Sequence, residues 1–306
     1  MQSAQFALHA AIEESHWWFV ARRQVMLSVV RQLLPPAEDK RAAGDDREAR
    51  ATVIDIGCGT GANIAALAGD YRAVGIDTSA DAIHFAAERF PEVDFRAGLA
   101  PDDLSDCLPQ AKLVMMMDVL EHVPDDFALL SSILAAAAEG TYFLLTVPAD
   151  LSLWSPHDEA FGHYRRYDVE RFRQLWQELP VEEQLVAPLN TRLYPLIRLV
   201  RALNRRRRNS TGDSGTDFHI PARWTNAALQ AIFAGERHAI LRQLARGQSD
   251  LAAGEPASRP RGVGRRGVSL MAVLQRGSGP IALRQKPATL ADHFDPECGQ
   301  LVAAGV

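Results

Sequence analysis

Val53-Ile54-Asp55-Ile56-Gly57-Cys58-Gly59-Thr60-Gly61 is the stretch whose reading decides the fold. A short apolar strand ends in three alternate glycines, and the residues from Ala62 read as helix. Glycine lets a backbone turn sharply and come close to a ligand, because no Cβ intervenes and positive φ is open to it. A ligand can then lie across the carboxyl end of the strand at the helix N-terminus, the usual crevice of open α/β sheets. Strand Ala73 to Ile76 follows and ends in Asp77, 20 residues beyond Gly57. A carboxylate at that place can take both hydroxyls of a ribose.

Outward from this unit, short β-branched or apolar runs alternate with longer helical ones, the pattern of a parallel sheet built from βα units. The expected strands are Thr52 to Ile56, Ala73 to Ile76, Val93 to Ala97, Lys112 to Met117, Tyr142 to Val147, Glu183 to Pro188 and Val268 to Leu274. The expected helices are Ala62 to Ala68, Ala80 to Arg89, Asp125 to Ala138 and Val169 to Glu178. Seven strands suit a doubly wound, Rossmann-like α/β sheet. Residues 1–36 read as an N-terminal helical cap stopped by Pro35 and Pro36, and residues 37–50 as a charged linker. A domain over residues 51–276 carries low-complexity insertions near 192–217 and 246–267, and residues 277–306 read as a weakly ordered tail.

Composition bounds the function. The chain has 306 residues, 33 Lys and Arg against 38 Asp and Glu, and a net charge of −5, so it does not look built as a whole for nucleic acid. Cys58, Cys107 and Cys298 form no CxxC pair, which points to a reducing compartment and away from a cysteine zinc site, and no metal is expected. The N-terminal segment lacks the early positive charge and continuous apolar run of a secretion signal. No stretch reaches the roughly 18 uninterrupted apolar residues of a membrane span. A cytoplasmic protein is expected.

Spacing separates two ligand classes. The dinucleotide fingerprint is GxGxxG with a pyrophosphate at the helix N-terminus. Gly57-x-Gly59-x-Gly61 is instead GxGxG, preceded by Asp55. A negative Asp55 would repel a pyrophosphate but favour the ammonium and sulfonium end of S-adenosylmethionine. An NAD-dependent oxidoreductase or epimerase is further disfavoured because neither lysine between Ala37 and Val200 follows a tyrosine at Tyr-x-x-x-Lys spacing.

Asp55 to Gly61 (DIGCGTG) resembles the first motif of class I S-adenosylmethionine-dependent methyltransferases, and Gly75-Ile76-Asp77-Thr78-Ser79 resembles their acidic second motif. Met117 to Asp126 (MDVLEHVPDD) is similar to the segment after their fourth strand, and Gly267 to Arg276 to their antiparallel last strand. The resemblance implies a seven-stranded, mostly parallel sheet with that last strand antiparallel. It implies that Asp55, Gly57, Cys58, Gly59 and Gly61 wrap the methionine part of the cofactor, that Asp77 holds the ribose, and that Thr78 lies beside the adenine. Leu99 stands where many members carry an acid for the adenine amino group, so apolar contact and backbone would hold the ring. Asp118 should face the cofactor or acceptor pocket. A non-catalytic cofactor-binding protein on the same fold remains open.

The acceptor side is read from Leu153 to Tyr167 (LWSPHDEAFGHYRRY), which with His16-Trp17-Trp18-Phe19 and Arg22-Arg23 resembles a bacterial subset of the family. His157 or His163 is the expected base, because imidazole titrates near working pH. Arg165, Arg166 and Tyr167 are expected to bind the acceptor. The opposite reading, that these residues hold the loop together, stays open. Trp17 and Trp18 either close over the cofactor as a lid or pack on the sheet. His122 either lines the pocket or is structural. Tyr194 to Arg208 has the composition of a membrane-surface helix or of a solvated insertion. On the first reading the protein works at the inner membrane surface, and the acceptor, a small molecule or a saccharide- or lipid-linked intermediate, is of the lipid-linked kind.

Overall fold

The computed structural model describes residues 10–36, 50–207, 220–253 and 266–281. Seven strands form one sheet in the order β3-β2-β1-β4-β5-β7-β6: β1 Thr52–Ile56, β2 Arg72–Asp77, β3 Asp94–Ala97, β4 Leu113–Met117, β5 Tyr142–Pro148, β6 Val181–Leu189 and β7 Ser269–Arg276. β1 to β5 pair in parallel, and β7 runs antiparallel between β5 and β6. The expected mostly parallel sheet with an antiparallel last strand is the observed one.

Side-chain alternation of period two feeds two cores. Ile54, Ile56, Val114, Met116, Phe143, Leu145 and Leu270 face one side, where Phe127, Leu130 and Ile133 of α4 (Asp126–Ala136) and Phe172 of α6 (Val169–Gln174) cover them. Val53, Met115, Leu144, Met271 and Val273 face the other. There Val25, Met26 and Val29 of α1 (Trp17–Leu33), Ile64 of α2 (Ala62–Ala65), Phe233 of α8 (Arg223–Ala234) and Ile240 and Leu244 of α9 (Arg237–Ala252) pack on them. Two further helices are α3 (Ala80–Arg89) and α5 (Pro156–Ala160), and α7 spans Tyr194–Arg207.

Three differences from the sequence reading have physical causes. The N-terminal helix breaks at residues 14–16, where the His16 side chain accepts from Trp18 N–H and starts α1. Rather than capping a finished domain, α1 is part of a covering layer, with Val25, Met26 and Val29 wholly buried. The low-complexity segment expected from residue 246 begins as helix: α9 runs on to Ala252 because Gly247 lies against β6, where a Cβ would sit 2.0 Å from the Gln184 carbonyl oxygen. α8 and α9 were not anticipated. The linker at 37–49, the stretches 208–219 and 254–265 and the tail from 282 lie outside the described residues. Among the described residues no helix is long and apolar enough to cross a membrane.

Candidate functional site

The strand order reverses between β1 and β4, and a cavity of about 1350 Å³ opens at the carboxyl ends of these strands. Its size exceeds the roughly 300–1,000 Å³ that holds one drug-sized ligand, so two substrates can meet in it. The floor is the glycine turn. Gly57 N–H and Cys58 N–H donate to the Ile76 carbonyl at 2.8 and 3.1 Å, which ties the turn to β2. Gly59 has φ +54° and open space where its Cβ would stand, so the backbone is bare toward the cavity.

Asp77 accepts from Gly59 N–H at 3.0 Å and from Ser79 N–H at 2.9 Å. The carboxylate thus fixes the turn while lining the cavity. Gly57, Cys58, Gly59, Thr78, Leu99 and Asp118 line it too, whereas Asp55 and Gly61 do not. Gly61 is the residue before α2, at φ +86°, with Phe95 where a Cβ would be. Asp55 lies beneath the floor, almost wholly buried. Burial pushes its carboxyl up to about 7, against the pull of Arg22 and with the push of Asp77. Cys58 is raised as well, burial again being the main cause, and is an inert thiol rather than a nucleophile. Leu99 is 64% exposed and its N–H donates to Asp103 at 2.8 Å, which turns that carboxylate back onto its own loop.

α1 supplies one wall through Trp17, Trp18, Phe19 and Arg22. Trp18 also stacks on Phe233 with ring centroids 5.2 Å apart, so the tryptophans both line the cavity and pack on the layer. Arg22 pairs with Asp118, whose other oxygen accepts from Thr146 Oγ1 at 3.0 Å. Asp118 has φ +60° at the end of β4.

The loop after β5 is organised by Asp158. Ser155 N–H donates to Asp158 Oδ2 at 2.9 Å, Arg166 Nε to Oδ1 at 2.8 Å, and His163 Nδ1 lies 3.0 Å from Oδ1. Burial opposes the charge, but the His163 hydrogen bond and Arg166 hold this carboxyl well below its ordinary range. Ser155, three residues before Asp158, forms a capping box with it that is local in sequence, whereas His163 and Arg166, five and eight residues downstream, converge on it only through the fold.

The structure corrects two expected acceptor-binding residues. Arg165 is fully buried and donates to the carbonyls of Leu120, at 3.0 Å, Val123 and Pro124, at 2.8 Å, within 3.5 Å of Asp126. Tyr167 is fully buried too, its hydroxyl donating to Asp126 at 2.8 Å. Both point away from the cavity and clamp its rim. Arg166 reaches the cavity, yet its guanidinium is held by Asp158 and the Ala149 carbonyl. His157 and His163 both line the cavity, His157 with its ring 4.5 Å from that of Phe161. His122 lines it as well, and burial, with His163 beside it, lowers its imidazole to about 4. Glu121, wholly buried, stands next to them.

The family described as Methyltransferase domain matches residues 22–184, more than half of the chain. The trans-aconitate 2-methyltransferase of Azoarcus sp. (strain BH72) is 30% identical over 129 residues, 39% of this chain and 49% of that protein. The chain therefore spans about half the length of the curated relative it matches. A chain of the complex between the Haloferax volcanii Trm112 methyltransferase activator and a methyltransferase has TM-score 0.51 and 16% identity, covering 90% of this chain and 97% of that one. The plantazolicin methyltransferase BpumL, in complex with a pentazolic desmethylPZN analogue and SAH, has TM-score 0.51 and 14% identity, covering 90% and 91%. These two likenesses are of fold.

Proposed function

The chain belongs to the methyltransferase-domain family, and from that premise we propose that it moves a methyl group from S-adenosylmethionine to a small apolar or lipid-linked acceptor at the inner membrane surface. The observation that carries the donor is the bare Gly59 backbone beside Asp77, in a cavity large enough for donor and acceptor together. Asp77 takes the ribose hydroxyls, Thr78 and Leu99 flank the adenine, and the backbone of Gly57 to Gly59 lies along the methionine part. Asp55, under that floor, favours a cationic ligand through space once it ionises, at about pH 7 and above. Bound there, the donor supplies a sulfonium methyl whose transfer leaves a neutral thioether. What remains for the protein is to align the acceptor, exclude water and, for a hydroxyl, take a proton.

His157 is the acceptor-side base in this reading; it lines the cavity beside Phe161, and His163, held by Asp158 through Nδ1, is the alternative. The acceptor class rests on α7. Leu196, Ile197 and Val200 line the cavity, while Leu199 and Leu203 on the same helix are 56% and 41% exposed. An apolar chain can pass from a lipid surface along such a helix into the site, and the helix arginines suit anionic headgroups. The small acid named for the Azoarcus relative is the second acceptor class to try, because that protein is 30% identical over the aligned part.

Isothermal titration tests the donor: S-adenosylmethionine and S-adenosylhomocysteine bind, NAD does not, and Asp77→Ala weakens both at least tenfold with unchanged circular dichroism. Binding of NAD alone overturns the reading. Transfer of labelled methyl into a bacterial extract, followed by partition between solvent and water, tests the acceptor. Label confined to the aqueous phase would reject the lipid-linked class.

A further inference from the structure

On the acceptor side of the cavity, Glu121 is a buried carboxylate without a counter-charge of its own. It is fully buried, and apart from its own backbone N–H neither oxygen has a hydrogen-bond partner among the described residues. The two arginines that act on it, Arg22 and Arg166, each hold another carboxylate, Asp118 and Asp158. Burial pushes the Glu121 carboxyl well above the ordinary range, so alone it keeps its proton, and only a partner or a coordinated cation would hold it ionised. Two imidazoles stand beside it: a ligand atom from each of Glu121, His122 and His163 lies within 4.8 Å of the other two.

We propose that Glu121, His122 and His163 form a binding site for a divalent first-row transition cation such as Zn²⁺. Two imidazoles and one carboxylate are a donor set that suits zinc, and three protein ligands leave a position open. The outer atoms of the site are arranged as metal ligands require. Asp158 engages His163 Nδ1 at 3.0 Å, which leaves Nε2 as the ligating nitrogen, and the His122 ring donates to the Phe161 backbone carbonyl. Outer partners of this kind fix the tautomer and orientation of a metal-bound histidine. The rings stand nearly perpendicular, at 87° with centroids 4.6 Å apart, so their nitrogens can converge without stacking. Bonds of about 2.1 Å put neighbouring ligands roughly 3–4 Å apart, so side-chain shifts of about 1 Å close the site. The wide spacing of the cysteines has no bearing on this site, because no sulfur takes part in it. His163 joins the pair from 41 residues downstream, which no local spacing reveals.

The open position faces the cavity, where the cation would hold an acceptor oxygen and make a hydroxyl more acidic. This deepens the methyl-transfer reading, yet the cation can be measured with neither donor nor acceptor present, so the two fail separately. The test is equilibrium dialysis and titration of the chelator-stripped full chain with Zn²⁺, and with Co²⁺ as an optical reporter. One equivalent binds in the micromolar range or tighter, and Co²⁺ gives the visible bands of a low-coordinate site. Glu121→Gln and His163→Gln each weaken binding at least tenfold, whereas His238→Ala on α9 does not. Should Glu121→Gln fail to fold, His122→Asn, at the cavity surface, gives the same reading. Absence of saturable binding overturns the proposal, and so does binding that survives these substitutions.

Discussion

Asp55, one residue before the end of β1, and Asp77, at the end of the adjacent parallel β2, have different surroundings that give them separate work. Asp77 is satisfied by two backbone N–H groups at the cavity floor. One oxygen of Asp55, beneath that floor, has no hydrogen-bond partner among the described residues, and burial raises its carboxyl to about 7. An unfolded aspartate ionises near 4, so between these values the folded chain binds more protons than the unfolded one. Stability is then highest at the acid end and falls as pH rises through 7. This group accounts for a loss on the order of 3 kcal/mol between pH 4 and 8. Asp55→Asn removes that slope, as urea unfolding at the two pH values will read; an unchanged slope would mean that Asp55 is not the group responsible. His157→Ala, at saturating donor, lowers turnover by roughly 10²-fold or more if it is the base, with donor affinity unchanged. An unaltered rate would return His157 to the wall of the cavity.

At the level of elements, the loop of residues 154–167 and α7 show what the letters conceal and what they reveal. All seven strands were readable to within about two residues of their ends, most of them as buried apolar runs; β3, Asp94–Ala97, is the exposed exception and is marked by Gly98 after it. The glycine turn was readable because its conformations admit few other residues. The loop's chemistry was visible too, yet not its direction: Arg165 and Tyr167 turn inward because Asp126, some 40 residues earlier, is buried beneath them. Such a partner leaves no local trace. α8 and α9 went unread because they lie between two low-complexity segments, and the helix period of Phe233, Ile240 and Leu244 shows only against the sheet. Arg165→Met would leave the buried carbonyls of Leu120, Val123 and Pro124 without their donor, while Asp126 keeps Arg171 and Tyr167, at a cost of about 3 kcal/mol. A lower urea midpoint with unchanged KM fits the clamp, whereas an unchanged midpoint with a raised KM would restore acceptor binding. For α7, replacing Leu196, Leu199 and Leu203 by serine weakens binding to anionic vesicles by roughly two orders of magnitude, if each half-exposed leucine contributes about 1 kcal/mol. Vesicle binding equal to that of the wild type would detach α7 from any lipid.

Across the whole molecule, α1 joins the site to the scaffold. Its inner residues Val25, Met26 and Val29 lie in the core against the sheet, its N-terminal Trp17 and Trp18 meet Phe233 of α8, and its Arg22 crosses to Asp118 at the end of β4. The same first turns form the cavity wall, so a ligand that fills the cavity presses on residues whose other faces hold α8. Donor binding should therefore stabilise the entire fold and tighten α1 in particular. A ligand that binds only the folded chain adds about 2.7 kcal/mol at 100 times its Kd. Urea unfolding with and without S-adenosylhomocysteine reads this gain, and hydrogen exchange locates it. Slower exchange is expected in α1 and in the Gly57 to Gly61 turn, with little change in β6 at the far sheet edge. Trp18→Ala removes part of the wall and of the α8 contact together, so it lowers both the unliganded midpoint and the ligand-induced gain. If the midpoint falls while the gain and the α1 protection stay whole, the tryptophan serves packing only, and the wall that closes on the donor lies elsewhere.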